Sequence, residues 1–175
     1  MLVGAPTTGG GSASHSYIVY GRADFYSSGV NLSFLGTDPS DPDGFALKEP
    51  TPAMMGRDVA GLQDFNGDGF SDIAIARPGD GTVSIMYGTK TATMSSMTLT
   101  GINATTEIGL VSLGDINGGG RSDLGIYEQN TDTLYVALGE NANTATQTIA
   151  SLASKVTIIS SAGTLEGAGA VVEVK

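Results

Sequence analysis

The sequence predicts an all-β fold of β-propeller type, with blades of four antiparallel strands following one another around an axis. Three observations carry this prediction. Glycine supplies 26 of the 175 residues, about twice the usual share, which favours tight turns over long helices. Short apolar segments with period-two alternation recur between clusters of Gly, Asp and Asn. Two nine-residue loops, Asp64-Phe65-Asn66-Gly67-Asp68-Gly69-Phe70-Ser71-Asp72 and Asp115-Ile116-Asn117-Gly118-Gly119-Gly120-Arg121-Ser122-Asp123, lie 51 residues apart and in phase with their flanking segments. Repetition at about 50 residues, with four short strands in each copy, selects a propeller over a sandwich or a barrel.

Taken in order, the chain opens on Leu2-Val3-Gly4-Ala5-Pro6, which has the pattern of Ala74-Ile75-Ala76-Arg77-Pro78. His15 to Gly21 then matches Thr82 to Gly88 and Thr133 to Gly139, three segments that alternate and end on glycine. Residues 1–36 are therefore predicted as strands two to four of a partial first blade. Residues 37–55 hold four of the six prolines and several acids, and are predicted as a connection between blades without a strand. Residues 56–105 form the second blade, with strands near 58–63, 72–76, 82–87 and 97–102. Residues 106–162 form the third, with strands near 107–114, 123–127, 133–138 and 155–160. The polar stretches 89–96 and 140–147 are expected as surface linkers. Residues 163–175 are predicted as the first strand of a next blade. About three blades make an open arc, the fragment of a larger ring. Its unpaired inner strand, Val171 to Val174, would invite pairing with further blades of a parent protein or with a second copy.

Charge narrows the function. Eight Lys and Arg stand against 18 Asp and Glu, a net charge of −10, which repels nucleic acid and anionic membranes and suits cations. Cysteine is absent, so neither disulfides nor thiolate metal sites are available. No apolar run is long enough to span a bilayer as a helix, and the N-terminal residues lack the basic region of a signal peptide.

The loops carry the chemistry. Calcium takes six to eight hard oxygen ligands. Side chains at positions 1, 3 and 5 of a tight loop converge on one point, and in the first loop these are Asp64, Asn66 and Asp68. Gly69 permits the turn, Phe70 offers its backbone carbonyl, and Asp72 closes the set. An EF-hand would need an acid at position 12, where this chain has Ile75. In the second loop Gly119 replaces the acid at position 5 and Arg121 brings a cation to position 7. Asp115, Asn117, Asp123 and the Arg121 carbonyl remain, and a weaker or vacant site is expected.

The stretch Gly56-x7-Asp64-Phe-Asn-Gly-Asp-Gly-Phe-Ser-Asp72-Ile-Ala-Ile-Ala76-Arg-Pro78, together with Leu2-Val3-Gly4-Ala5-Pro6, resembles the FG-GAP repeat of integrin α-chain-like propellers and bacterial surface proteins. The resemblance implies a loop that joins the first two strands of a blade and holds calcium through Asp64, Asn66, Asp68, Phe70 and Asp72. The chain departs from it at Met55-Gly56, at Glu107 and at Gly125-Ile126-Tyr127.

The expected function is a calcium-binding, extracellular or cell-surface module for adhesion to a protein or glycan ligand, and not an enzyme. The alternatives are an accessory or catalytic domain of a secreted hydrolase or lyase, and a purely structural repeat. Other features read as bland. His15 is the single histidine and is expected in an exposed Gly/Ser-rich turn. Asp38, Asp41 and Asp43 are expected in a solvated loop, and Arg57-Asp58 at a strand start. Tyr17, Tyr20, Tyr87 and Tyr135 are expected to pack within blades. Asn31 and Asn103 begin glycosylation sequons.

Overall fold

A computed structural model describes residues 1–6, 13–21, 31–49, 53–90, 94–103, 107–131, 133–139, 142 and 145–151. The described residues are all-β apart from short 3-10 turns, and their eleven strands form three sheets. The first sheet holds β1 (Leu2–Ala5), β2 (Ser14–Val19) and β3 (Gly44–Glu49) in that order, all antiparallel. The second holds β4 (Val59–Gly61), β5 (Ile73–Arg77), β6 (Thr82–Met86) and β7 (Ser96–Thr100) as an antiparallel meander. The third holds β8 (Ile108–Gly114), β9 (Asp123–Glu128) and β10 (Thr133–Ala137), again antiparallel. None of the sheets closes into a barrel, and the arrangement is that of propeller blades.

Burial explains the composition of each strand. In β6 the burial alternates, with Val83 and Ile85 at zero exposure between half-buried neighbours, as expected of a strand with one wet face. The second strands of the blades differ. Ala74, Ile75 and Ala76 of β5 and Leu124 to Ile126 of β9 are buried in sequence, because these strands are covered on both faces. One apolar cluster serves the second and third blades together. It runs from Leu62, Phe65 and Ala74 through Val83, Ile85, Met97 and Leu99 to Ile108, Leu124, Ile126 and Ile149. Each blade needs its neighbour to bury its face, as repeat architectures do.

Three expectations are corrected. The connection 37–55 was expected to hold no strand, and the fourth strand of the first blade was expected within residues 1–36. That strand is β3, paired with β2 from Ser14↔Glu49 to Val19↔Gly44. The prolines flank it and do not interrupt it, and its apolar residues Phe45 and Ala46 are buried. Residues 32–34 form a 3-10 turn instead, begun by the Asn31 side chain accepting from Ser33 N at 3.0 Å. The stretch 140–147 was expected as a surface linker. Its end enters β11 (Thr146–Thr148), a fifth strand of the second blade, parallel to β7. His15 stands within β2 and not in a turn, half-buried, with its ring stacked on Tyr17 at 5.9 Å between centroids.

The other elements stand close to their expected places. Asp38 and Asp41 close Asx turns onto Ser40 N and Asp43 N, and the two Ser40 bonds hold the exposed Asp38 carboxyl below the usual range. Tyr87 is buried and Tyr135 half-buried, whereas Tyr20 is 36% exposed and donates to Pro39 O at 2.8 Å. The fourth strand of the third blade near 155–160 and the terminal strand 163–175 lie outside the described residues.

Candidate metal centre

The first loop is framed by its strands. Leu62 N donates to Asp72 O and Asp72 N to Gln63 O, at 2.7 and 3.0 Å, so β4 and β5 clamp its mouth. Within the loop the side chains serve the backbone. Asp64 Oδ1 accepts from Gly67 N and Asp68 N at 2.6 and 2.9 Å, and Oδ2 from Gly69 N at 2.8 Å. Asn66 Oδ1 accepts from Asp68 N, and Asp68 Oδ1 from Phe70 N, while Asn66 Nδ2 donates to Asp68 Oδ2. Gly67 and Gly69 take φ of 82° and 89°, in the left-handed region that glycine reaches without strain. Those two positions turn three consecutive N–H groups inward.

Asp72 is placed differently. It is 1% exposed and lies beneath the loop. Its Oδ2 accepts from Phe65 N and Asn66 N at 2.8 and 3.2 Å, and its Oδ1 from Gly88 N, past the end of β6, at 2.8 Å. Burial pushes the Asp72 carboxyl above the usual carboxylate range, against these three donors, which favour the ionised form. Phe65, carried between Asp64 and Asn66, is fully buried in the shared core and anchors the loop from below.

The second loop repeats this arrangement at an offset of 51 residues. Asp115 accepts from Gly119 N and Gly120 N, Asn117 from Gly119 N, and buried Asp123 from Ile116 N and Gly139 N. What is missing is the carboxylate of Asp68, since Gly119 stands there. Ile116, the counterpart of Phe65, is 41% exposed.

Among the described residues no three acidic or histidine side chains converge closely enough to hold a metal ion by themselves. The donor set is nonetheless that of a hard cation. A carboxylate has about four acceptor sites and an amide oxygen two. Asp64 has three filled, Asp68 two and Asn66 one. These three residues and the Phe70 carbonyl would hold calcium, with Asp72 bracing the loop beneath them. Of the residues expected from the sequence, Asp64, Asn66 and Asp68 share the partly exposed loop, whereas Asp72 and Asp123 are buried and face backbone donors.

Residues 64–126 match the model of a protein family described as FG-GAP-like repeat. The chain carries an FG-GAP-like repeat. The matched FG-GAP-like span opens on the first residue of the first loop and ends within β9, so it contains both loops in phase. No curated protein matches the chain. FG-GAP repeats occur in extracellular proteins. Among the described residues no helix is long and apolar enough to cross a membrane.

Several residues around the FG-GAP-like loops make contacts that the sequence did not predict. Asp58, read as structural, ties the second and third blades together by accepting from Leu110 N at 2.7 Å. Arg57 pairs across the same junction with Glu107. Glu128 is 2% exposed, and accepts from Asn103 N and from Thr131 Oγ1. Gly88 and Gly139, which end the alternating segments at the same offset in each repeat, donate to the buried aspartates.

The missing carboxylate gives a direct test of the ligand set. Gly119 lacks the positive φ of Gly118 and Gly120, so an aspartate fits its backbone. Gly119→Asp is expected to raise the number or the affinity of bound calcium ions, counted by isothermal titration. Two equally tight ions in the unmodified chain would contradict it.

Proposed function

We propose that this FG-GAP-like chain is a calcium-binding module of an extracellular or cell-surface protein. Its loops stiffen the joints between blades, and its blade surfaces bind a protein or glycan ligand. The observation that supports it is the first loop. Asp64, Asn66 and Asp68 keep acceptor capacity on an exposed turn whose base is locked by buried Asp72. The net charge of −10 favours the same ligand class. We read the module as binding rather than catalytic, because Asp58, Asp72, Asp123 and Glu128 each accept backbone N–H bonds.

A second reading, a structural repeat without calcium, is favoured by the number of loop carboxylate sites already filled by backbone donors. Titration decides between them. Calcium is expected to bind at millimolar or better affinity, and Asp68→Ala to weaken it about tenfold or more, which corresponds to about 1.4 kcal/mol. At a hundredfold excess over Kd, the ion is expected to stabilise the fold by about 2.7 kcal/mol. Unchanged affinity in Asp68→Ala, or melting indifferent to chelator, would favour the structural reading.

A further inference from the structure

The side chain at the seventh place of each loop reaches toward the preceding blade. In the second blade it is Phe70, which shares a cavity of about 220 Å³ with Ile18, Tyr20 and Phe45 of the first. In the third blade it is Arg121. Its Nη1 donates to Gly139 O at 3.2 Å. Its guanidinium lies against Gly67 of the first loop, where an added β-carbon would stand 2.7 Å from Nε and 3.1 Å from Cζ and Nη2. Beside it, Ser122 N donates to Asp64 O at 2.9 Å.

Gly67 is the turn residue between Asn66 and Asp68, and its N–H bonds Asp64 Oδ1 at 2.6 Å. These short steps keep Arg121 Nε within roughly 8 Å of that carboxylate, about one Debye length at physiological ionic strength. The cation that the sequence assigns to the second loop therefore stands on the first.

We propose that Arg121 is the built-in counter-cation of loop 64–72 in the neighbouring blade, and so sets how tightly that loop takes a divalent cation. The first half of this statement stands on the placement of Arg121 alone. The second rests on the calcium reading of the loop. The physics is competition in one field. A fixed positive charge beside Asp64 and Asp68 relieves their repulsion when no cation is bound, and opposes an arriving cation. Because the loop and the arginine belong to different blades, the affinity of one blade depends on its neighbour.

Arg121→Gln and Arg121→Lys test this. In chelator, Arg121→Gln is expected to melt below the parent. Asp68→Asn in the same background is expected to reduce that loss, since there is less negative charge left to neutralise. With calcium, Arg121→Gln is expected to bind about two- to fivefold more tightly than the parent at low salt, and the difference is expected to shrink in 1 M salt. Arg121→Lys keeps the charge and is expected to bind as the parent does. Affinity that is unchanged or weaker in Arg121→Gln would overturn the competition. A stability loss in chelator that Asp68→Asn leaves untouched would overturn the counter-cation itself. If the parent binds no divalent cation, the calcium reading fails with the competition built on it, and the chelator comparison still decides the placement of charge.

Discussion

Asp72→Ala is expected to cost the fold about 3–5 kcal/mol in the presence of chelator, a large part of the stability of an ordinary domain. The substitution removes one carboxylate and strands three backbone donors, Phe65 N, Asn66 N and Gly88 N. All three were bonded to a side chain that is 1% exposed, so water does not replace it freely. Unpaired buried donors each cost about 1–3 kcal/mol. Asp68→Ala is the matched control. Asp68 is exposed, accepts from Phe70 N and Asn66 Nδ2, and is expected to cost no more than about 1 kcal/mol in chelator. Urea denaturation of both variants in chelator checks the contrast. Equal losses would mean that Asp72 is a loop carboxylate like the others and not the brace under the loop.

The second large effect is steric. Gly139→Ala is expected to cost about 3 kcal/mol or more, as overpacking does when the neighbours are backbone. A β-carbon at Gly139 would stand 2.5 Å from Ser122 O and 2.6 Å from Phe65 O. Neither oxygen can retreat, since Ser122 is a buried residue of the second loop and Phe65 anchors the first loop by its buried ring. The same substitution at Gly61 meets nothing within 4 Å, and is expected to stay within about 0.5 kcal/mol of the parent. Thermal melts of the pair give the comparison. A Gly139→Ala variant as stable as Gly61→Ala would show that the two loops are not locked at this point.

The blades were legible in the sequence where two copies of one pattern reinforce each other. The segments expected near 72–76 and 123–127 are β5 and β9, and those near 82–87 and 133–138 are β6 and β10. In each pair, apolar alternation and turn glycines recur at the same offset, which separates signal from chance. β3 has no such support. Its Gly-Phe-Ala-Leu-Lys-Glu run is framed by Pro42 and Pro50, and proline density masks a strand whose register is set by β2. β11 is shorter still. Thr-Gln-Thr has no apolar face, and is held by the open edge of β7 rather than by its own pattern.

That Asp64, Asn66 and Asp68 share one tight turn was also legible, because the spacing of Asp, Asn and Gly in a turn is a local property. The directions of their side chains were not. The pattern treats Asp72 as one more oxygen around an ion, yet the chain turns it inward, because three N–H groups beneath the loop have no other acceptor among the bonds described. Arg121 was legible only as an intruder in its own loop. That it lies on Gly67 depends on how two blades meet, and no spacing within one blade contains that information.

β11 also bears on how the chain is made. A ribosome delivers β7 some fifty residues before the strand that will lie along its outer side, which Thr100 Oγ1 secures by donating to Gln147 O at 3.2 Å. During that interval all of β8, β9 and β10 must emerge, while β7 offers a row of unpaired amides and carbonyls to any other extended peptide nearby. A nascent chain halted before Thr146 would carry the whole meander of its middle sheet and still be adhesive along one side. In the finished sheet β7 is covered along Thr98 to Thr100 by residues that the ribosome releases last among those bordering it, so for that stretch the hazard of mispairing falls in the time of synthesis.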